Sequence, residues 1–208
     1  MSKPKSNSFY FFFSMLVVCL LASACGTSVP KEATTYIGTI HNSPESARIG
    51  IVIENLKFVV YICSLDDDFN ASTGRWFVGD LETDGTVDGR SSDGVKVNGS
   101  INYSNFTGII TNLQGEVITF QGKEVPIGGP AGLYRGVGEY DGQAVIVGAI
   151  VEDETFIAST VQVQDKIEFI TPITIPPFRV DNSNLILTFG ALSQRLDIFL
   201  VSTLQGLE

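Results

Sequence analysis

Histidine is almost missing from this 208-residue chain: His41, in "TIHNSP", is the only one. A Ser-His-Asp or Cys-His catalytic set would have to be built around that single imidazole, which stands where a strand runs into a turn. Zinc ligation by grouped His and Cys side chains lacks donors for the same reason. Cysteine is scarce as well, at positions 19, 25 and 63. Basic residues number 13 against 23 acidic ones, for a formal charge of −10. Nucleic-acid binding needs a Lys/Arg footprint, and so does electrostatic docking on anionic lipid; neither fits this balance. No glycine-rich loop opens a helix to hold a phosphate. Before residue 185 no 12-residue window carries helical periodicity, so helix should be nearly absent. None of these patterns implies a cofactor.

What is present begins at the N-terminus. Lys3 and Lys5 give a positive start with no acid among residues 1–24, and "FYFFFSMLVVCLLA" follows as an apolar run of signal-peptide length. It is too short and wrongly flanked for a membrane span. Ala22, Ser23 and Ala24 then lead into Cys25, Gly26, Thr27 and Ser28. This stretch resembles the bacterial lipoprotein signal, although Ala22 stands where that motif more often has Leu. The resemblance implies that Cys25 is acylated, becomes the first residue of the mature chain, and holds it on a membrane of the cell envelope, facing the periplasm or the exterior. Each buried methylene contributes about 0.8 kcal/mol, so several acyl chains would make the attachment essentially permanent. "ASA" also satisfies the rule for ordinary secretory cleavage, which leaves open an unlipidated Cys25 and a disulfide to Cys63 in an oxidising compartment. The leader carries two of the basic residues and no acid, so its removal takes the charge from −10 to about −12. Cys63, in the apolar "FVVYICSL", has no basic neighbour to activate it and reads as a small buried hydrophobe.

Residues 25–35 are polar and aperiodic, the texture of a tether. From Tyr36 the chain changes to short runs of Val, Ile, Phe, Tyr and Thr, broken every 8–12 residues by Gly, Asn, Asp or Ser clusters. That spacing predicts an all-β antiparallel meander over residues 36–165, with strands near 36–41, 49–53, 58–64, 75–81, 86–91, 95–102, 107–112, 116–125, 131–140, 143–151 and 155–164. Ten or so meandering strands leave two exposed edges unless the sheet curls, so a barrel is expected. "FVVYIC" and "AVIVGAIV" are apolar on both faces and need cover on two sides, which the chain's own tail is expected to give. That tail, residues 166–208, opens with Pro172, Pro176 and Pro177, which suit an edge or wrapping strand. Its runs "LILTF" and "LDIFLVSTL" form either a hairpin or, over 195–204, a short helix. Residues 185–204 are too apolar to hang free and should pack on the barrel or on another copy of the chain.

"GRWFVGDLETDG", "AGLYRG" and "VIVGAIV" together resemble a β-meander domain that recurs in bacterial secreted proteins and lipoproteins. That resemblance covers roughly residues 36–164 and implies fold and location but no activity.

Three groups of residues invite a functional reading. "DDDFNASTG" at 66–74 spaces Asp66, Asp68 and Asn70 like the start of a calcium loop, but Ala71 and Phe77 stand where Gly and a closing Glu belong, which leaves a solvated acidic loop. Glu116, Glu124, Glu139 and Asp141 offer carboxylate pairs for hydrolysis, with nothing in their spacing to select one. Trp76, the only tryptophan, together with Tyr134 and Arg135, is read either as core or as the lining of a ligand-binding barrel mouth. The expected protein is therefore a membrane-anchored, non-catalytic binding or interaction module for an envelope protein or other envelope component. The alternatives are a lipocalin-like carrier of a small apolar ligand and a carboxylate-based hydrolase.

Overall fold

The computed structural model describes residues 33–126, 128–140, 143–153, 157–163, 169–170, 179–181, 184–189, 194–202 and 204. Eight strands come first: β1 (Thr34–Ile40), β2 (Arg48–Glu54), β3 (Lys57–Cys63), β4 (Trp76–Asp80), β5 (Thr86–Arg90), β6 (Lys96–Asn102), β7 (Asn105–Thr111) and β8 (Val117–Glu124). They form one antiparallel sheet in the order β4-β3-β2-β1-β8-β7-β6-β5. Each half is a run of hairpins, and the β1–β8 ladder joins the halves, so the outer strands β4 and β5, consecutive in sequence, lie side by side. The sheet thereby closes nearly into a barrel, and the expected meander architecture is what the chain adopts. At the β1–β8 seam Gly38 pairs with Gly122, and a Cβ on Gly38 would fall onto the Gln121 carbonyl, so only glycine lets the strands approach this closely. Thr34 and Thr35, expected within the tether, belong to β1.

Alternation assigns the two faces. Tyr36, Ile49, Ile51, Phe58, Val60, Ile62, Phe77, Val97, Phe106, Ile110 and Phe120 point inward and form a continuous buried cluster. Their neighbours Ile37, Val52, Val59, Tyr61 and Cys63 point outward and are buried in a second cluster with Leu133, Ile150, Ala158, Val201 and Leu204. That second cluster is the cover that "FVVYIC" requires.

Its source is broader than the tail. Strands β9 (Gly132–Tyr140), β10 (Gln143–Val151) and β11 (Ile157–Val163), which the sequence reading continues around the barrel, form a separate sheet with β12 (Phe169–Ile170), β13 (Arg179–Asp181), β14 (Asn184–Phe189) and β15 (Gln194–Leu200), in the order β12-β11-β10-β9-β15-β14-β13. The barrel closes with β8, and β9 pairs with β15 rather than with a barrel strand. Residues 194–200, open between strand and helix in the sequence, are strand. The three prolines of the tail lie outside the described residues.

One helix interrupts the meander, where the sequence suggested an acidic loop. In α1 (Asp67–Thr73) the Asp66 carboxylate caps the start by accepting from the Phe69 N–H at 2.8 Å, and Phe69 enters the barrel core. Asn70 is buried, its Oδ1 accepting from the Ser64 N–H and its Nδ2 donating to the Ser64 carbonyl, both at 2.8 Å. Asp66 and Asn70 are thus committed to the helix and its anchorage, which removes the calcium-loop reading.

Candidate functional site

Trp76 opens β4 opposite Tyr61 of β3, and because Phe77 faces the barrel interior, Trp76 faces out. It therefore does not line a barrel mouth. The Trp76 and Tyr61 rings stack with centroids 4.1 Å apart and planes 19° from parallel. Gly148 of β10 lies directly against this pair. A Cβ there would come 2.7 Å from the indole and closer still to the Tyr61 ring, so glycine is what allows the second sheet to approach.

Arg135 of β9 pairs in register with Gly148, and its guanidinium carbon stands 5.7 Å from the centroid of the Trp76 ring, within cation–π range. Desolvation lowers its pKa from the ordinary arginine value. Tyr134, the next residue, projects from the opposite face of β9 and is fully buried. Its hydroxyl donates to the Pro130 carbonyl at 2.8 Å, and burial raises its pKa. Two of the three expected site residues, Trp76 and Arg135, are thus brought together between the sheets, while Tyr134 belongs to the core. Phe199 of β15 sits opposite Arg135 on the same face, and Val137 lies two residues along β9. The sequence reading missed both. The signal for Phe199 was its place in the apolar run "LDIFLV", which gives no hint of its strand partner.

The buried cations Arg48 and Arg75 are spent on structure. Arg75 donates through Nε and Nη2 to Asp93 Oδ2 at 2.9 and 2.6 Å, and its remaining N–H groups reach the carbonyls of Asn70, Ala71 and Gly74 at the end of α1. Arg48 donates through Nε to Glu152 Oε2 at 2.9 Å and through Nη1 to the Glu45 and Ala47 carbonyls, linking β2 to the end of β10. Arg135 differs. Among the described residues no carboxylate meets it.

Of the carboxylates weighed for a hydrolase, Glu116 and Glu124 do not form a pair. Glu116 just precedes β8 and Glu124 ends it, roughly 25 Å apart along an extended strand, beyond the ~5–9.5 Å separations of glycosidase pairs. Glu116 also accepts from Asn112 Nδ2 at 2.8 Å within the β7–β8 turn. Glu124 and Glu139 are exposed, and Asp141 lies outside the described residues. His41 is exposed in the turn after β1. Among the described residues no group of three or more His, Cys, Asp or Glu is placed to hold a metal ion. Cys63 is fully buried beside Tyr61 and Ile150, and desolvation pushes its thiol far above the ordinary value, which makes it a poor nucleophile. A cavity of about 220 Å³ lined by Ala33, Glu124, Val125, Ala131, Leu200 and Val201 is smaller than the ~300–1,000 Å³ of typical ligand pockets, whereas a more open one of about 450 Å³, lined by Gly38, Thr39, Thr107, Gln121, Lys123 and Glu124, falls within that range.

No protein-family model matches the chain, and no curated protein matches it. Among solved structures it is similar to a provisionally assigned AttH protein from Nitrosomonas europaea, at 11% identity, over 82% of this chain and 77% of that one, with a TM-score of 0.26.

Proposed function

We propose that the chain is a lipid-anchored protein of a bacterial envelope, tethered through acylated Cys25, whose folded part is a non-catalytic binding module. The observation that carries the second half is the solid barrel. Phe58, Phe77, Phe106 and Phe120 occupy its interior, so a carrier that stores its ligand there has no space to use. The ion pairs Arg75–Asp93 and Arg48–Glu152 serve the fold, which leaves recognition to the surface, and the half-buried Trp76 and Arg135, where the two sheets meet, are the group best equipped for it.

The anchor reading is carried by the order of residues 1–28, and it is tested by fractionation. Wild-type protein should sediment with membranes and need detergent for release, whereas Cys25→Ala should move to the soluble fraction. Equal partitioning of the two would remove the anchor. The non-catalytic reading is tested by Glu124→Gln and Glu139→Gln, each of which should leave any envelope phenotype intact. Loss through one of them alone would restore the hydrolase.

A further inference from the structure

We propose that the face centred on Arg135 and Trp76 binds a single-chain amphipathic carboxylate, a fatty-acid-like anion, with the guanidinium taking the head group and the surrounding apolar side chains taking the chain. The proposal rests on reading the fold as a binding module but not on the Cys25 anchor.

Charge selects the head group. In a chain with 23 acids and 13 bases, Arg48 and Arg75 each have a carboxylate partner, yet none among the described residues meets Arg135. Its guanidinium is half-buried, so part of its hydration is already lost, and its carbon lies over the Trp76 ring at 5.7 Å. The edge of the fork remains able to hold a carboxylate with two parallel hydrogen bonds.

Exposure selects the tail. Phe199 is 59% exposed, Val137 70% and Val78 49%, all large apolar side chains. Phe199 and Val137 share the face of Arg135, and Val78 shares the outer face of β4 with Trp76. Exposed apolar side chains on the two strand faces that carry Arg135 and Trp76 suit a ligand with one charge and one hydrocarbon chain better than a neutral hydrocarbon or a polyanion. Trp76 is both a wall of the site and its reporter, being the only tryptophan.

The test is a fluorescence titration of the full chain carrying Cys25→Ala with decanoate and with decanol. Decanoate should shift Trp76 emission saturably, and decanol should bind at least tenfold more weakly. Arg135→Gln should bring decanoate down to the level of decanol, Arg135→Lys should keep part of the preference, and Phe199→Ser should weaken both probes alike. Circular dichroism checks that each variant is folded. Equal binding of the two probes, decanoate binding untouched by Arg135→Gln, or no saturable shift in the unsubstituted site would overturn the proposal. So would a Trp76 shift that follows protein concentration instead of ligand, since the face would then be covered by a second copy. Membrane fractionation reads the anchor separately, so neither failure can be mistaken for the other.

Discussion

Arg75 shows how much a single side chain can organise here, since it pairs with Asp93 and collects three carbonyls at the end of α1. Removing one member of a buried pair strands the other, so Arg75→Ala is expected to cost about 3–5 kcal/mol in chemical denaturation. The Asp93 carboxyl feels opposing forces. Burial raises its pKa, but hydrogen bonds from Arg75 and Ser91 and the charge of Arg75 outweigh that and hold it below the ordinary value. A carboxyl depressed in the folded state contributes its full stability above about pH 3.9, the unfolded value, and loses it as the pH falls through the lower folded value. The stability gap between wild type and Asp93→Asn should therefore be widest at neutral pH and shrink below pH ~4; a gap that stays constant on acidification would refute this. Cys63 gives a second residue-scale expectation: a thiol reagent should label it only at the rate of unfolding, and fast labelling of the native protein would show that its site opens. Sequence made Trp76 visible as the lone tryptophan and Arg135 visible as part of the "AGLYRG" stretch. It misplaced Tyr134 because neighbouring strand residues face opposite ways, and which face met the barrel depended on contacts made far along the chain.

At the scale of elements, the first eleven strands were legible almost to the residue, because Gly, Asn and Asp punctuate alternating apolar runs. The helix α1 was not. Seven residues are too few to show a period, and among its buried positions are Asn70 and Thr73, which look like loop residues until Ser64 is beside Asn70. The β2–β3 hairpin carries a testable oddity, since Asn55 and Leu56 both adopt positive φ, at 51° and 62°. Asparagine tolerates that region and leucine does not, at a cost of roughly 1–2 kcal/mol. The Leu56 side chain is 55% exposed, so little packing is lost on its removal. Leu56→Gly should accordingly stabilise the protein by about 1 kcal/mol in thermal or urea unfolding, and a destabilised variant would mean that the side chain matters more than the turn.

The whole molecule depends on a join between two sheets that local sequence could not specify. The "AVIVGAIV" pattern required cover on both faces but could not say whether β10 continued the barrel or lay across it. The answer is set by the long-range β1–β8 and β9–β15 pairings. Gly148 is where that join is tightest, so Gly148→Val should overpack it, lowering stability by about 1–3 kcal/mol and moving Trp76 emission to longer wavelength as water reaches the ring. Unchanged emission would mean that the sheets do not meet at this point. The proposed role needs both parts of the chain, a lipid anchor and a folded recognition face held at a membrane. The most direct measurement is the intact mass of the protein taken from its own membrane, first native in mild detergent and then denatured. The account predicts a denatured mass equal to residues 25–208 plus acyl groups, with an additional partner or small molecule carried only by the native species. A bare polypeptide mass would contradict it.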